Sequence, residues 1–156
     1  MNKLIWDESD FDKMSWHDNF IHAFTYDPDE NLFLIDIDYI TEWINPKEKG
    51  SHFSFVVAPS TLIFDGVYDL DVDIKVGNIS TFDILEITRE IHKTKYPTER
   101  IFYRYKIVLS HIGKITFASS SYKMYIRNVY PEIDAQSLTR SARGGVSFDT
   151  TTANTK

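Results

Sequence analysis

The feature that most constrains this chain is an alternation of apolar and charged side chains with a period of two residues. It is clearest in residues 31–40 (NLFLIDIDYI), 68–76 (YDLDVDIKV) and 101–109 (IFYRYKIVL). Successive side chains of a β-strand point to opposite faces, so this pattern is typical of strands with one face in a core and the other in water. In the first two segments, the predicted water-facing side carries a row of carboxylates: Asp36, Asp38, Asp69, Asp71 and Asp73.

Weaker strand patterns fill most of the remaining chain. Residues 19–26 precede the turn-rich segment DPDEN and are predicted to form a hairpin with residues 31–40. Pro59 is expected to bend the sheet, because proline cannot donate to a strand ladder. The other predicted strands are 52–58, 60–64, 114–119, 122–127 and 146–148. Residues 80–92 fit a helix or a strand, and their β-branched side chains favour the strand.

These patterns predict a mainly β fold, an antiparallel sandwich or a partly open barrel of about eight short strands. One short N-terminal helix is expected at residues 7–14, where the first turn is acidic. The length of 156 residues fits one globular domain, predicted at residues 1–148, and the polar residues 149–156 are expected to form a flexible tail. The chain has no cysteine, which excludes a disulfide scaffold, a thiolate metal site and a cysteine nucleophile.

The net charge of −6 is unevenly distributed along the chain. Residues 1–42 are acidic, with Lys3 and Lys13 as their only Lys or Arg residues, whereas residues 93–127 are basic, with Glu99 as their only acid. An acidic chain is not expected to bind nucleic acid, because phosphates require a dominant basic face. Pairing of early with late strands would place Asp36, Asp38, Asp71 and Asp73 opposite Arg104, Lys106, Lys123 and Arg127.

The location expected from the sequence is cytoplasmic. The first residues lack the apolar run of a signal peptide. No window approaches the roughly 18 apolar residues of a membrane span, so no membrane partner is expected. The oligomeric state is left open.

The segment MSWHDNFIHAF at residues 14–24 combines histidines with a carboxylate. Imidazole and carboxylate groups are ligands for divalent metals, so a metal-dependent hydrolase or a metal-binding regulator is one interpretation. The other is structural, with Trp16 and His17 packing at the start of a strand and Asp18 holding the imidazole or the turn. The spacing matches no specific metal motif, which favours the structural interpretation. The metal interpretation would use His17, Asp18, His22, Asp36 and Asp38.

The first hypothesis for function is a binding protein without catalysis and without a cofactor. Its acidic strands would dock a basic partner protein through Asp36, Asp38, Asp69, Asp71 and Asp73, with Trp43 as an aromatic contact in the loop that follows a strand. Asp69, Asp71 and Asp73 do not suit one calcium ion, because alternate strand residues lie about 7 Å apart. Whether the protein is an enzyme stays open, with a non-enzymatic role favoured.

Near the end of the chain, Arg143-Gly144-Gly145 has two interpretations. Its guanidinium and backbone N–H groups have the chemistry to bind an anion. Adjacent glycines also form a bend, and the absence of a phosphate-loop lysine pattern favours that reading. Arg140 and Arg143 are in either case able to reach the acidic strands.

Four segments resemble a group of small single-domain bacterial proteins of uncharacterised activity with a Trp-His-Asp segment near the start. They are SWHDNFIHAF, LFLIDIDYITEW, FVVAPSTLIFDGVYDL and RGGVSF, and the resemblance spans about residues 14–148. It implies a single domain and no particular activity. Small acidic proteins of this kind are often immunity proteins that neutralise a bacterial toxin, which is an analogy of size and charge.

Overall fold

Two antiparallel sheets pack face to face in a computed structural model of the chain, which describes residues 3–78, 80–94 and 98–155. In chain order the strands are β1 (Ile5–Asp7), β2 (Phe20–Asp27), β3 (Leu32–Ile44), β4 (Ser54–Asp65), β5 (Tyr68–Ile74), β6 (Ile84–His92), β7 (Phe102–Leu109), β8 (Gly113–Ser119), β9 (Ser121–Ile126) and β10 (Tyr130–Ile133). The first sheet has the order β1-β9-β4-β3-β2, with β10 also paired to β4, and the second has the order β5-β8-β7-β6. The predicted mainly β sandwich is confirmed, with ten strands among the described residues in place of about eight.

The core lies between the two sheets, on the faces that the alternation predicts. Ile35 and Ile37 of β3 are fully buried there, as are Tyr105 and Ile107 of β7. The aromatic rings pack mostly edge to face, and the centroids of Phe64 and Phe117 are 4.6 Å apart. Alternation therefore assigns the core-facing side of these strands correctly.

A 3₁₀ helix at Glu8–Lys13 occupies the position of the predicted short helix. The Asp7 carboxylate accepts the backbone N–H of Ser9 (2.9 Å), and the Asp10 carboxylate accepts the backbone N–H of Asp7 (2.9 Å). This reciprocal capping satisfies N–H groups that have no partner within the helix. Phe11 of this helix packs edge to face on Tyr122, which joins the helix to the core.

β4 is one continuous strand, and the predicted bend at Pro59 is wrong. Pro59 lies opposite Asp38 of β3, and its carbonyl accepts the backbone N–H of Arg127 (3.0 Å). The nitrogen of a strand residue points to the same side as its carbonyl. On that side the pairing passes from β9 to β10, so the N–H that Pro59 lacks falls where the β9 ladder ends and the strand continues past it.

The ambiguous segment at residues 80–92 is resolved as a strand from Ile84 to His92. It pairs with β7 along its whole length. Ile84 and Ile87 are buried in the core, whereas Leu85 and Glu86 are exposed.

Residues 134–149, which we call the C-terminal arm, cross the outer face of the first sheet. The arm contains one helical turn, α1 (Arg140–Arg143), with Thr139 as its N-cap. Gly144 and Gly145 follow with φ of 83° and 91°, values that favour glycine, so the bend at this site is confirmed. The strand predicted at 146–148 is wrong, because the backbone N–H of Ser147 donates to Asp36 (2.9 Å) instead of to a neighbouring strand.

The end of the chain also contacts the first sheet. The Thr61 hydroxyl donates to the carbonyl of Asp149 (2.6 Å), and Ala153–Thr155 form a 3₁₀ turn. The domain boundary at 1–148 and the flexibility of 149–156 stay predictions. Across the part of the chain that the structure describes, no helix is long and apolar enough to cross a membrane.

Candidate functional site

Asp36 lies on the outer face of β3, beneath the C-terminal arm, and is fully buried. Arg143 binds it through two parallel hydrogen bonds, Nη2 to Oδ1 and Nη1 to Oδ2, both 2.7 Å. Arg127 Nη2 also donates to Oδ1, and the backbone N–H of Ser147 donates to Oδ2. A buried carboxylate with this many donors is satisfied, whereas an unpaired one would be strongly destabilising.

Asp38, two residues further along the same face, is fully buried as well. Its Oδ1 accepts Arg143 Nε (3.0 Å), and its Oδ2 lies 2.8 Å from His22 Nε2 and accepts the backbone N–H of Leu138 (2.7 Å). Burial acts to raise the pKa of Asp38. The hydrogen bonds from His22 and Leu138, together with the charge of Arg143, outweigh burial and hold that pKa below its ordinary value.

These contacts overturn the prediction that Asp36 and Asp38 belong to a water-facing docking surface. The alternation places both side chains on the correct face of β3, opposite the core. The C-terminal arm covers that face and supplies Arg143, and a second guanidinium comes from Arg127, which directly follows β9. The two carboxylates are therefore buried and paired with arginines, and neither is exposed to water.

The structure also does not assemble the predicted metal cluster. The Asp36 and Asp38 oxygens are taken by the arm, and the described residues hold no group of three or more His, Asp or Glu side chains placed to share an ion. His17 is exposed and lies 3.0 Å from Asp18, which also accepts Gln136 Nε2 of the arm (2.9 Å). Segment 14–24 therefore has the contacts of the structural interpretation, with Trp16 buried against Tyr39 and Tyr122.

The acidic row of β5 is exposed, in contrast to that of β3. Asp69, Asp71 and Asp73 all face solvent, and the inward positions Leu70 and Ile74 pack against the core. β5 is an outer strand of its sheet, pairing with β8 on one side and with no described strand on the other. The carboxylates of Asp71 and Asp73 form no hydrogen bond or ion pair with other described residues.

Basic residues of the central strands lie beside this acidic row. Asp73 is opposite Lys114 of β8, and Asp69 pairs with Arg104 of β7 at 3.2 Å. Of the predicted pairings, that of Arg127 with Asp36 is confirmed, whereas Arg104 pairs with Asp69, a carboxylate outside the predicted set. The prediction is wrong for Lys106, which lies opposite Thr88 and Thr116, and for Lys123, which lies opposite Asp7 and Ile63.

Trp43 lies in β3 itself, so its predicted place in a loop is wrong. Trp43 is 42% exposed, and its ring centroid is 5.9 Å from that of Phe53, which is also exposed, and 4.9 Å from that of Phe55, which is buried. Phe55 is near the start of β4, and β5 follows the end of that strand at Asp65. At about 3.3 Å per residue, β4 spans roughly 30 Å from Phe55 to Asp65, so Trp43 lies at the opposite end of β4 from the turn that leads into β5.

A cleft of about 620 Å³ opens at the start of β5 and was not predicted from the sequence. Tyr68 and Phe102 line it with ring centroids 5.4 Å apart, and His92 lies 5.8 Å from Tyr68. Asp69 and Lys93 provide charged groups at the same cleft. Three different strands contribute the rings, so no local sequence pattern reveals their meeting.

Comparisons of the chain with protein families, with curated proteins and with solved structures find no match. The function therefore has to be argued from the surfaces described above.

Proposed function

We propose that this chain is a non-catalytic binding protein that docks a basic partner protein through the acidic edge strand β5. The observation that carries the proposal is the exposure of Asp69, Asp71 and Asp73 in a row on a strand whose outer edge pairs with no other described strand. Two of these carboxylates have no partner among the described residues. Such a row offers an unneutralised negative potential to a cationic surface.

The backbone of β5 supports the same proposal. An edge strand presents unpaired N–H and C=O groups, which a partner strand can use for main-chain hydrogen bonds. Carboxylates at alternate positions repel acidic strands and attract a strand that carries Lys or Arg at matching positions. The aromatic cleft at Tyr68 adds an apolar anchor at one end of the row, of the kind enriched in protein interfaces.

The partner class follows from charge and size. A net charge of −6 on 156 residues suits fast association with a basic protein, and a bacterial toxin that must be neutralised is the partner we propose. The protein would then be an immunity protein acting in the cytoplasm. The bacterial origin and the cytoplasmic location stay predictions from the sequence.

Trp43 is a separate candidate contact within this proposal. Because Trp43 lies on β3 of the first sheet and the acidic row lies on β5 of the second, one small partner does not need to cover both. The end of β3 that carries Trp43 is therefore tested as an independent surface.

The test compares two double charge reversals with the same change in net charge. Asp71→Lys/Asp73→Lys alters the acidic row, and Glu42→Lys/Glu48→Lys alters exposed carboxylates in and after the end of β3. The probe is the protein that the tagged wild-type chain retains from its own cells, purified and measured by surface plasmon resonance at low and high salt. We expect the β5 variant to associate about tenfold or more slowly, with a weaker salt dependence, because electrostatic steering acts on the association rate.

The control variant is expected to keep an association rate within about threefold of the wild type. If the β5 variant keeps both the association rate and the salt dependence of the wild type, the acidic row is not the docking site. If only the control variant slows, the site lies at the end of β3 instead of on β5.

A further inference from the structure

A second cleft, of about 510 Å³, lies between the outer strand β2 of the first sheet and the C-terminal arm. Its apolar lining comes from Phe20, Phe24 and Phe82 together with Leu138 of the arm. Arg140 lines the same cleft as its cationic group. This volume and a mainly apolar lining with one convergent charge are typical of small-molecule sites.

The two walls of the cleft are held by one buried carboxylate. Asp38 Oδ2 contacts His22 Nε2 of β2 at 2.8 Å and accepts the backbone N–H of Leu138 at 2.7 Å, and both residues line the cleft. His22 is further fixed by the edge-to-face contact of its ring with Phe20, with centroids 4.8 Å apart. A site whose walls are locked by buried hydrogen bonds is organised before any ligand arrives.

Arg140 differs from the other two arginines near this site. Arg127 and Arg143 bind buried carboxylates, whereas no carboxylate among the described residues lies within ion-pair distance of Arg140. Its Nη2 donates to the carbonyl of His22 at 3.0 Å, which ties the guanidinium to the mouth of the cleft. The guanidinium has five N–H donors in all, so donors remain for a ligand.

The geometry points to this cleft as a binding site for a small carboxylic acid with an apolar or aromatic body. Arg140 binds the carboxylate, and the body packs against Phe20, Phe24 and Phe82. A guanidinium matches the planar geometry of a carboxylate, and a charge-assisted hydrogen bond is about twice as strong as a neutral one. The site lies in the first sheet and is independent of the docking surface proposed on β5.

The probes are 3-phenylpropionate, its uncharged analogue 3-phenylpropanamide, and acetate, titrated into the ¹⁵N-labelled full chain. We expect saturable amide shifts for 3-phenylpropionate that are confined to β2, Phe82 and residues 137–140. The amide analogue is expected to bind about tenfold more weakly because it lacks the charge. Acetate, which has no body to pack in the cleft, is expected to give no saturable shift.

Three variants test the role of Arg140. Arg140→Gln is expected to weaken 3-phenylpropionate binding about tenfold and to abolish the preference for the acid over the amide. Arg140→Lys keeps the charge and is expected to retain part of the affinity and the preference. Arg104→Gln removes the same charge from the second sheet and is expected to bind as the wild type does.

Three results would overturn the inference: equal binding of acid and amide, wild-type affinity in Arg140→Gln, or no saturable shift at the cleft with 3-phenylpropionate. If Arg140→Gln disturbs the arm, the comparison of acid with amide in the wild type and in Arg140→Lys still decides. The β5 variant Asp71→Lys/Asp73→Lys is expected to bind 3-phenylpropionate normally, so the two proposals fail separately.

Discussion

Strands β3 and β5 both alternate apolar residues with aspartates, but the aspartates of the two strands lie in opposite environments. Asp36 and Asp38 of β3 are fully buried under the C-terminal arm and bound by two arginines, whereas Asp71 and Asp73 of β5 are exposed and make no ion pair with described residues. Alternation reports which face of a strand a side chain occupies. Alternation does not report whether a distant segment covers that face. Here the C-terminal arm covers the aspartates of β3, which gives them a structural role, and leaves those of β5 exposed for docking.

The largest expected effect comes from removing the arm's arginine. Arg143→Ala removes the guanidinium that binds both Asp36 and Asp38, and Arg127 then remains as the arginine paired with Asp36. Breaking a buried ion pair in this way costs about 3–5 kcal/mol of unfolding free energy. Urea denaturation measures the loss. Arg104→Ala, which removes an exposed partner of Asp69, is the matched control and is expected to cost less than about 1 kcal/mol. Similar losses in the two variants would mean that the buried and exposed carboxylates are energetically alike, against the comparison drawn here.

Acid is expected to destabilise the protein partly through Asp38. Its pKa is below the ordinary value of 3.8 in the folded state, so the folded protein holds its proton less tightly than the unfolded chain does. The resulting stability is fully present above that ordinary value and is lost as pH falls through the lower, folded-state pKa. Urea midpoints measured from neutral pH down to the acid range should therefore fall less steeply in Asp38→Asn than in the wild type. An unchanged slope would show that another group carries the acid sensitivity.

A smaller effect is expected for the exposed pair of Asp69 and Arg104. Their atoms are 3.2 Å apart, but the Asp69 side chain is 65% exposed, and surface pairs contribute about 0.2–1 kcal/mol. Asp69→Asn should lower the unfolding free energy by that amount at low salt. The difference from the wild type should shrink at high salt, since exposed charges are screened. A loss that persists in high salt would mean that Asp69 is effectively shielded from water.

The smallest effect on stability is expected for Asp71→Asn. The side chain is exposed and makes no contact that the fold needs, so the unfolding free energy should stay within about 0.5 kcal/mol of the wild type. The same substitution should still slow association with the basic partner, because it removes charge from the acidic row. Separate effects on folding and on binding would confirm that β5 carboxylates serve an interface. A clear loss of stability would place Asp71 with the structural carboxylates.

Much of the fold follows from the sequence because its signals are local. The alternation in residues 68–76 and 101–109 predicts β5 and β7, and the two glycines at 144–145 predict the bend that the structure shows. The predicted inward positions Val72, Val76 and Ile101 are nevertheless exposed. The predicted bend at Pro59 is wrong because the effect of a proline on a sheet depends on which strand lies beside its missing N–H group. That pairing is set by β9 and β10, more than 60 positions away, and leaves no trace in the residues around Pro59.

The sites are less predictable because each joins remote segments. Asp36 and Arg143 are 107 positions apart, and His22 and Arg140 are 118 apart. The sequence does indicate that Arg140 and Arg143 are able to reach acidic strands, but not which carboxylates they reach. Trp43 and the β5 row are both chosen correctly as exposed residues, yet only the strand order shows that they lie on different parts of the molecule.

The two aspartates on the covered face of β3 have a consequence for the protein during its synthesis. A ribosome releases Asp36 and Asp38 long before it releases Arg143 and Ser147, which are 107 and 111 positions later than Asp36. Throughout that interval the uncovered carboxylates are hydrated. Isoleucines at the same positions would expose an apolar sheet face, which favours aggregation with other nascent chains. Carboxylates at these two positions therefore suit both stages, since they are compatible with water before the C-terminal arm is made and are satisfied when Arg143 and Ser147 reach them.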